Sequence, residues 1–427
     1  MPFDVPAGVT QLHVRYGYSD RIDSDPLLTG GNTLDIGVFD EHGIAAGGEG
    51  FRGWSGSHKD EFTIGAEWAT PPYRAGAIGS GIWHVLLGPY KVGPRGCEYT
   101  VQIWFDPGLP EPVWSDEVTT RPVSPLPPVR EGWRRGDLHC HTVYSDGDSR
   151  PAAMLRAARA AGLDFLGVTD HNNVAHHAEY ARAEEELGGV TIIPGVEVTT
   201  YGGHWNAWGT DRWWDFRDPT AAAVQDTIRA AAAAGALVSV NHPKPFGPAW
   251  EYPEVTGYAA VEVWNGPWLR LNAIALAFWE SRLLASDRLV AVGGSDTHLL
   301  KGPDADQRHS PAPGSPTTWA RTGERRDAEA IIAALRAGQS FVSATPGGPQ
   351  LYLDPEGGHA RMEVVGASGA ALLVLTDAGC IAAAPVASDR WERRVAIPAA
   401  ARYVRAQVVD AAGQLLALTN PVWADAL

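Results

Sequence analysis

Six short apolar runs in the middle of the chain, ending at His139, Thr169, Glu197, Asn241, Trp264 and Gly294, alternate with alanine-rich helical patterns. The helical patterns fall at 151–161, 178–187, 220–234, 271–284 and 328–337. The first has Ser149 as a capping residue and Pro151 in its opening turn. Repeated strand-then-helix units demand parallel strands covered by helices, as in a barrel. The rest of the chain must be arranged around that unit.

The flanks have a different texture. Residues 1–106 carry short alternating runs at 11–16, 33–39, 82–87 and 99–105 between glycine-rich turns, the pattern of a β-sandwich. Residues 107–131 crowd prolines together (Pro107, Pro110, Pro112, Pro122, Pro125, Pro127, Pro128) and read as a stiff connector. The barrel then occupies 132–345. A small β module follows at 346–427, with runs at 371–375 and 403–408.

The chemistry gathers at the ends of the apolar runs. In Gly136-Asp137-Leu138-His139-Cys140-His141-Thr142, residues two apart on a strand project to one face. His139 and His141 therefore aim at one point, and Cys140 faces away as a packing residue. Asp146 follows in a turn, His171 follows Thr169-Asp170, Glu197 ends another run, and His204 comes just after it. His242 ends a fifth run, and Asp296 and His298 form a second pair on one face. A lone histidine at a strand end is more often structural than a ligand. Here His139, His141, His171, His204, His242 and His298, from 14 histidines in all, share the rim where barrel catalytic groups collect. Imidazoles and carboxylates crowded together are costly until cations relieve them. Metal binding is the reading that explains the set.

These motifs, from Asp137-Leu138-His139-Cys140-His141 through Thr169-Asp170-His171-Asn172, Gly195-Val196-Glu197 and Asn241-His242-Pro243 to Gly294-Ser295-Asp296-Thr297-His298, closely resemble the PHP (polymerase and histidinol phosphatase) superfamily. The Gly-Gly-His-Trp-Asn segment and the appended β modules look most like its CehA/McbA-type metallohydrolases. The resemblance covers about residues 134–345. It implies a distorted (β/α)7 barrel with two or three divalent ions, Zn, Mn or Fe. Carried over motif by motif, His139, His141, Glu197 and Asp296 hold one ion, and Glu197 bridges to a second held by His204 and His242. Asp146, His171 and His298 form the third; relatives often place a histidine near Asp146. Water activated by such ions attacks an ester, and the ions stabilise the leaving oxygen.

Around the ligands, Asp170 is read as an imidazole-orienting or proton-transferring group, with helix capping as the equal alternative. Lys244 and Lys301 are read as reaching a substrate anion or else solvent, and Asn265 as a substrate contact or a turn residue. Trp205, Trp208, Trp213, Trp214, Trp264 and Trp268 stand near the motifs, as pocket wall or core.

Two enzyme readings follow. The first is hydrolysis of a phosphomonoester or phosphodiester. The second is hydrolysis of a carboxylic ester or carbamate, favoured by the tryptophans and by the scarcity of arginine at the motifs; Arg135 and Arg150 make no clear phosphate clamp. A non-catalytic metal-binding scaffold is the third reading, opposed by the intact ligand set. A formal charge of −16 disfavours nucleic acid as a partner and leaves a small ester substrate. Scattered cysteines (Cys97, Cys140, Cys380) and the lack of a leader or apolar span suggest a cytoplasmic protein away from membranes. A homo-oligomer is compatible with the sequence. The N-terminal β region carries no chemistry of its own and is read by default as structural support, as is the C-terminal module, with binding carbohydrate, shaping the cleft or supporting a dimer as the roles open to it.

Overall fold

The computed structural model describes residues 1–25, 27–114, 126–245, 248–301 and 310–426. Of the proline-rich connector expected at 107–131, residues 115–125 lie outside the described residues.

Alternating apolar positions near the N-terminus form β1 (Pro2–Val5), β2 (Gln11–Tyr18), β3 (Thr33–Phe39), β4 (Phe51–Gly56), β5 (Glu61–Gly65), β6 (Gly81–Lys91) and β7 (Tyr99–Phe105). They pair in two sheets, β1-β6-β3-β4 and β5-β2-β7, all antiparallel. Leu12, Val14, Phe62 and Ile64 from one sheet share a core with Leu34, Ile36, Val38 and Trp83 from the other. β3 is buried along its whole length. Its even-numbered residues enter this core, while the alternation turns Asp35 and Phe39 toward the rest of the chain. Phe39, Phe51 and Trp54 join a cluster with Trp213, Trp214 and Phe216, and the Phe51 and Trp213 rings lie 4.5 Å apart. Aromatic burial of this kind, at about 25 cal/mol per Å² of apolar surface, fastens the N-terminal sheets to the middle of the chain.

The middle contains β8 (Trp133–Asp137), α1 (Pro151–Ala160), β9 (Phe165–Val168), α2 (His177–Leu187), β10 (Thr191–Thr200), β11 (Gly203–Trp208), α3 (Ala221–Ala233), β12 (Leu237–Val240), β13 (Ala260–Asn265), α4 (Asn272–Leu284) and β14 (Val290–Gly294). β8 to β14 pair in chain order. All these pairings are parallel except those of β11, which runs against both β10 and β12. Just past the ends of β8 and β14, Cys140 bridges Thr297 in parallel. There His141 N donates to Thr297 O at 2.9 Å and Asp296 N to His139 O at 2.8 Å. The seven strands thus join end to end at the rim.

Regular strand–helix alternation fails twice among the described residues. β10 turns directly into β11 through Tyr201 and Gly202, far fewer residues than a parallel crossover needs, so β11 must run antiparallel. β12 reaches β13 with no helix between. The capping expected of Ser149 is also absent: its hydroxyl donates to Asp148, and Arg150 occupies the cap position before Pro151.

β15 (Thr317–Arg321), α5 (Ala328–Arg336) and β16 (Ser340–Ser343) continue the sheet from the other edge of β8. Asp327 caps α5 by accepting from Ala330 N at 3.0 Å. The closing strands are β17 (Gln350–Pro355), β18 (His359–Val365), β19 (Ala371–Thr376), β20 (Gly379–Pro385), β21 (Arg390–Ala396), β22 (Tyr403–Val409), β23 (Leu415–Thr419) and β24 (Val422–Trp423). β23 pairs with β16, so the sheet runs on without a break into β22, β19 and β20. Trp133, Trp319 and Phe341 pack into the same cluster as Leu372, Val404 and Val408. Of the strands after 345, β19, β20, β22, β23 and β24 thus extend the central sheet, while β17, β18 and β21 form a separate antiparallel three-stranded sheet that shares its core. No helix among the described residues is long and apolar enough to cross a membrane.

Candidate metal centre

The candidate ligands gather on one rim: His139 and His141 follow β8, with Asp146 in the turn beyond, His171 follows β9, Glu197 lies within β10, His204 lies near the start of β11, His242 follows β12, and Asp296 and His298 follow β14. Glu197 is the hub. Its Oε2 lies 3.2 Å from His139 Nε2, 3.4 Å from His141 Nε2 and 2.9 Å from His171 Nδ1. Its Oε1 lies 3.2 Å from His204 Nδ1 and 3.4 Å from His242 Nε2. Asp296 Oδ1 approaches His141 Nε2 at 3.0 Å and His139 Nε2 at 3.4 Å. Asp146 Oδ1 stands 3.3 Å from His298 Nε2 and 3.6 Å from His171 Nε2. All nine candidate ligands therefore converge.

Three subsets are tight enough to hold an ion: His139, His141 and Glu197; His171, Glu197 and His204; and His141, Asp146, His171 and His298. The grouping differs in detail from that carried over by resemblance. His141 serves two subsets, and His171 faces Glu197 as well as Asp146, because the His141 and His171 rings stack at 4.4 Å. Backbone geometry is unusual in the same place: His242, Asp296 and Asn172 have φ of 29°, 57° and 56°, left-handed values rare outside glycine.

The donor chemistry fits divalent cations. His139 Nδ1–H donates to Glu262 Oε1 at 2.9 Å, which leaves Nε2 with its lone pair facing inward. His139 Nε2, His141 Nε2, Asp146 Oδ1 and His242 Nδ1 are buried without a hydrogen-bond partner among the described residues. Orphaned buried polar atoms are costly, and a cation satisfies several at once. The electrostatics agree. Burial would raise the carboxyl of Glu197, but His139, His171 and His204 hold it well below the usual carboxylate range. Burial likewise opposes ionisation of Asp146 and Asp296, and facing histidines hold both low. Burial would lower His298, yet Asp146 and Asp296 raise it to about 10. Burial, with His298 and His171 nearby, lowers His141 to about 4.

Residues outside the nine complete the arrangement. Glu262 Oε2 also accepts from His242 N at 3.1 Å and Asn265 Nδ2 at 3.2 Å. Asn241 Nδ2 donates to Glu197 Oε1 at 2.8 Å. Asp137 is fully buried and accepts from His139 N, Ser295 N and Gly314 N at 3.2, 2.9 and 2.6 Å. Gly294 has no room for a side chain, since a Cβ would fall 2.3 Å from His139 Cβ and 2.8 Å from Glu262 Oε1.

The non-ligand expectations fare unevenly. Asp170 neither caps a helix nor addresses His171. It accepts from Thr142 N at 2.7 Å, Thr142 Oγ1 at 2.7 Å and Ser145 Oγ at 2.6 Å, and so sets the turn that carries Asp146. Ser145 Oγ lies 3.3 Å from His141 Nδ1, so Asp170 acts on an imidazole at one remove. Lys244 does not line the cavity: it is buried, donating to Asn272 Oδ1 at 2.9 Å and Asn265 O at 3.1 Å. Lys301 Nζ donates to Asp148 O. Asn265 does stand on the rim, donating to Asp296 Oδ2 at 3.2 Å. Arg135 and Arg150 are engaged elsewhere, Arg135 with Gly162 O and Pro346 O and Arg150 with Glu179. Cys140 is buried away from the ligands, beside Gly167 O and Tyr180.

Above the ligands lies a cavity of about 610 Å³. Glu197, His171, His204, His242, Asp296 and His298 form its floor, and Asn265 and Arg270 stand beside them. None of the six tryptophans near the motifs lines it; they are core residues or pack on the core. Much of the opposite wall comes from the N-terminal sheets, including Arg21, Asp35, Trp54, His58 and Tyr90. Lys59, from the same loop as His58, donates to Val143 O at 3.1 Å and Ser145 O at 2.9 Å and ties that wall to the Asp146 turn.

A ring of strands whose rim gathers histidines and carboxylates around a cavity is the arrangement of a candidate metal centre. Comparison with known proteins gives the relationship: residues 137–238 match the PHP domain family. Over 67 residues the chain is 37% identical to a 5'-3' exoribonuclease of Haemophilus influenzae, covering 16% of this chain and 24% of that one. Over 66 residues it is 41% identical to the 5'-3' exoribonuclease Rnm of Escherichia coli, covering 15% and 22%. The matched stretches thus span about a quarter of the length of these relatives. Among solved structures, a two-domain protein of Bacteroides vulgatus containing a predicted PHP-like metal-dependent phosphoesterase aligns over 73% of this chain and 100% of that one. Its TM-score is 0.40 at 18% identity.

Proposed function

We propose that this chain is a metal-dependent hydrolase of phosphate esters, mono- or diester, acting on a small molecule. The observation that carries the reading is the convergence of the buried, unpartnered Nε2 atoms of His139 and His141 on Glu197 and Asp296, with the unpartnered Asp146 Oδ1 beside them, at the floor of an open cavity. Divalent cations, two or three of Zn, Mn or Fe, would supply Lewis acidity and make water acidic enough to act as a nucleophile near neutral pH.

The chain's own residues do the rest. Glu197 would be shared between ions held by the surrounding histidines, and Glu262 fixes the tautomer of His139. Asn265 holds Asp296 in place. Arg270 lines the cavity within the field of Asp296, which places a cationic side chain beside the floor. The motifs lack such an arginine in sequence, and its presence in the cavity supports phosphate over carboxylic ester or carbamate. We read the seven-strand ring as the distorted barrel of the PHP type, the N-terminal sheets as a sandwich, and the chain as CehA/McbA-like and cytoplasmic. The divisions at 106, 131 and 345 are part of the same reading.

The test is hydrolysis by metal-reconstituted protein of a panel holding aryl phosphomonoester, phosphodiester, carboxyl ester, carbamate and a short RNA, with and without chelator. Chelator-sensitive turnover of the small phosphates is expected. Turnover confined to the carboxyl ester or carbamate would replace this reading with the second one, and turnover of RNA alone would overturn the small-molecule assignment.

A further inference from the structure

β3 is an apolar strand interrupted by one carboxylate. Its alternation sends Asp35 out of the N-terminal core and into the cavity wall, where the residue is only 5% exposed. Burial pushes the Asp35 carboxyl up to about 7, against the hydrogen bond from Tyr201. A buried carboxyl that needs support of this kind is a costly way to build a wall.

The surroundings hold it open. Tyr201 Oη donates to Asp35 Oδ2 at 2.9 Å. That hydroxyl fits only because the residue paired with Asp35 across the sheet is Gly88, where a Cβ would lie 2.2 Å from it. Tyr201 in turn stacks on Tyr90, with centroids 4.9 Å apart and planes inclined by 29°. Tyr201 belongs to the turn between Glu197 and His204, so this wall is tied to the candidate metal floor through one hairpin. Asp23 and Asp25 line the same cavity.

We propose that Asp35, Tyr90 and Tyr201 form a second recognition site, contributed largely by the N-terminal sheets, that binds the alcohol portion of the ester. The chemistry specifies the ligand. A carboxyl oxygen facing the cavity accepts from hydroxyl groups, and a stacked tyrosine pair offers an apolar surface to a ring. Asp23 and Asp25 on this wall disfavour a second anionic group, since Arg21 beside them is already paired with Asp60. The class that satisfies all three is an uncharged, hydroxyl-bearing ring of the sugar type. The inference rests on the ester-hydrolase reading for its biological sense, but its binding test does not.

Ligand-observed saturation-transfer NMR on the metal-reconstituted protein would use methyl ribofuranoside, methyl glucopyranoside and, as a hydroxyl-free ring, anisole. A methyl glycoside is expected to bind in preference to anisole. Asp35→Asn and Tyr201→Phe are each expected to weaken it about 10-fold, the scale of one hydrogen bond to a charged group. In turnover, the ratio of kcat/KM for ribose 5-phosphate to that for phenyl phosphate should fall by a similar factor in both variants. Absence of glycoside binding by the wild type, or equal binding by wild type and both variants, would overturn the proposal even if phosphate esters are hydrolysed. Absence of any phosphate turnover with glycoside binding lost in the variants would sink the phosphoesterase reading and leave the sugar site standing.

Discussion

Replacing Glu262 with glutamine tests how the metal centre is held, because this residue is buried behind the ligands, off the cavity wall, yet supports three neighbours. Its Oε1 accepts from His139 Nδ1, and its Oε2 accepts from His242 N and Asn265 Nδ2. In Glu262→Gln one oxygen survives and can keep His139 in its tautomer. The new amide nitrogen must then face two donors, His242 N and Asn265 Nδ2, in a buried place. Each unsatisfied donor costs about 1–3 kcal/mol, so a loss of roughly 2–6 kcal/mol is expected. Domains carry about 5–15 kcal/mol, so most of the protein stays folded. The negative charge behind His139 is also lost, and changes of that kind weaken metal binding by about 10–100-fold. Competition with a chromophoric chelator reads the affinity, and urea denaturation of metal-free protein reads the stability. Wild-type metal affinity in a destabilised variant would refute the claim that Glu262 acts through His139; unchanged stability would refute its burial as a triple acceptor.

Two further outcomes follow from the geometry. Gly294→Ala drives a methyl group into His139 and Glu262 and should destabilise by about 1–3 kcal/mol while lowering bound metal, measured by denaturation and elemental analysis; an unaltered metal content would show that the rim relaxes freely. Burial lowers His176 to about 3, so its folded value lies below the unfolded 6.5 and the unfolded chain binds more protons between them. Its contribution is intact above pH 6.5 and is lost as pH falls toward 3, about 2 kcal/mol by pH 5. His176→Asn in metal-free protein should therefore lose less stability between pH 7.5 and 5 than wild type, and parallel losses in urea titrations would contradict this.

The strand-end ligands were legible because period-two alternation and the rim of a parallel ring both point the same way for His139 with His141 and for Asp296 with His298. The same alternation places Asp137 beside His139, a signal present in the motif itself. Glu262 left no such mark: it sits inside the apolar run of β13, and only the fold brings it to His139 from 123 residues away. Lys244 misled for the opposite reason, since adjacency to His242 in sequence does not bring it to the cavity; its ammonium is buried against Asn272 and Asn265. Asp35 was readable only as an anomaly, a carboxylate in an otherwise apolar strand. Its destination depends on how the N-terminal sheets dock, which aromatic packing decides and local pattern does not.

The closure of the ring has a consequence for the order of assembly. Asp137 and Ser295 meet across 158 residues, and the peptides joining His139 to Asp296 are the clasp. A nascent chain that has made Glu197 and His204 holds part of a ligand set with no enclosure around it. Only when β14 arrives do the two ends lock and the remaining carboxylate enter. The ligand set is therefore incomplete until β14 closes the ring, and a chain truncated before β14 would lack both the clasp and the ligands Asp296 and His298.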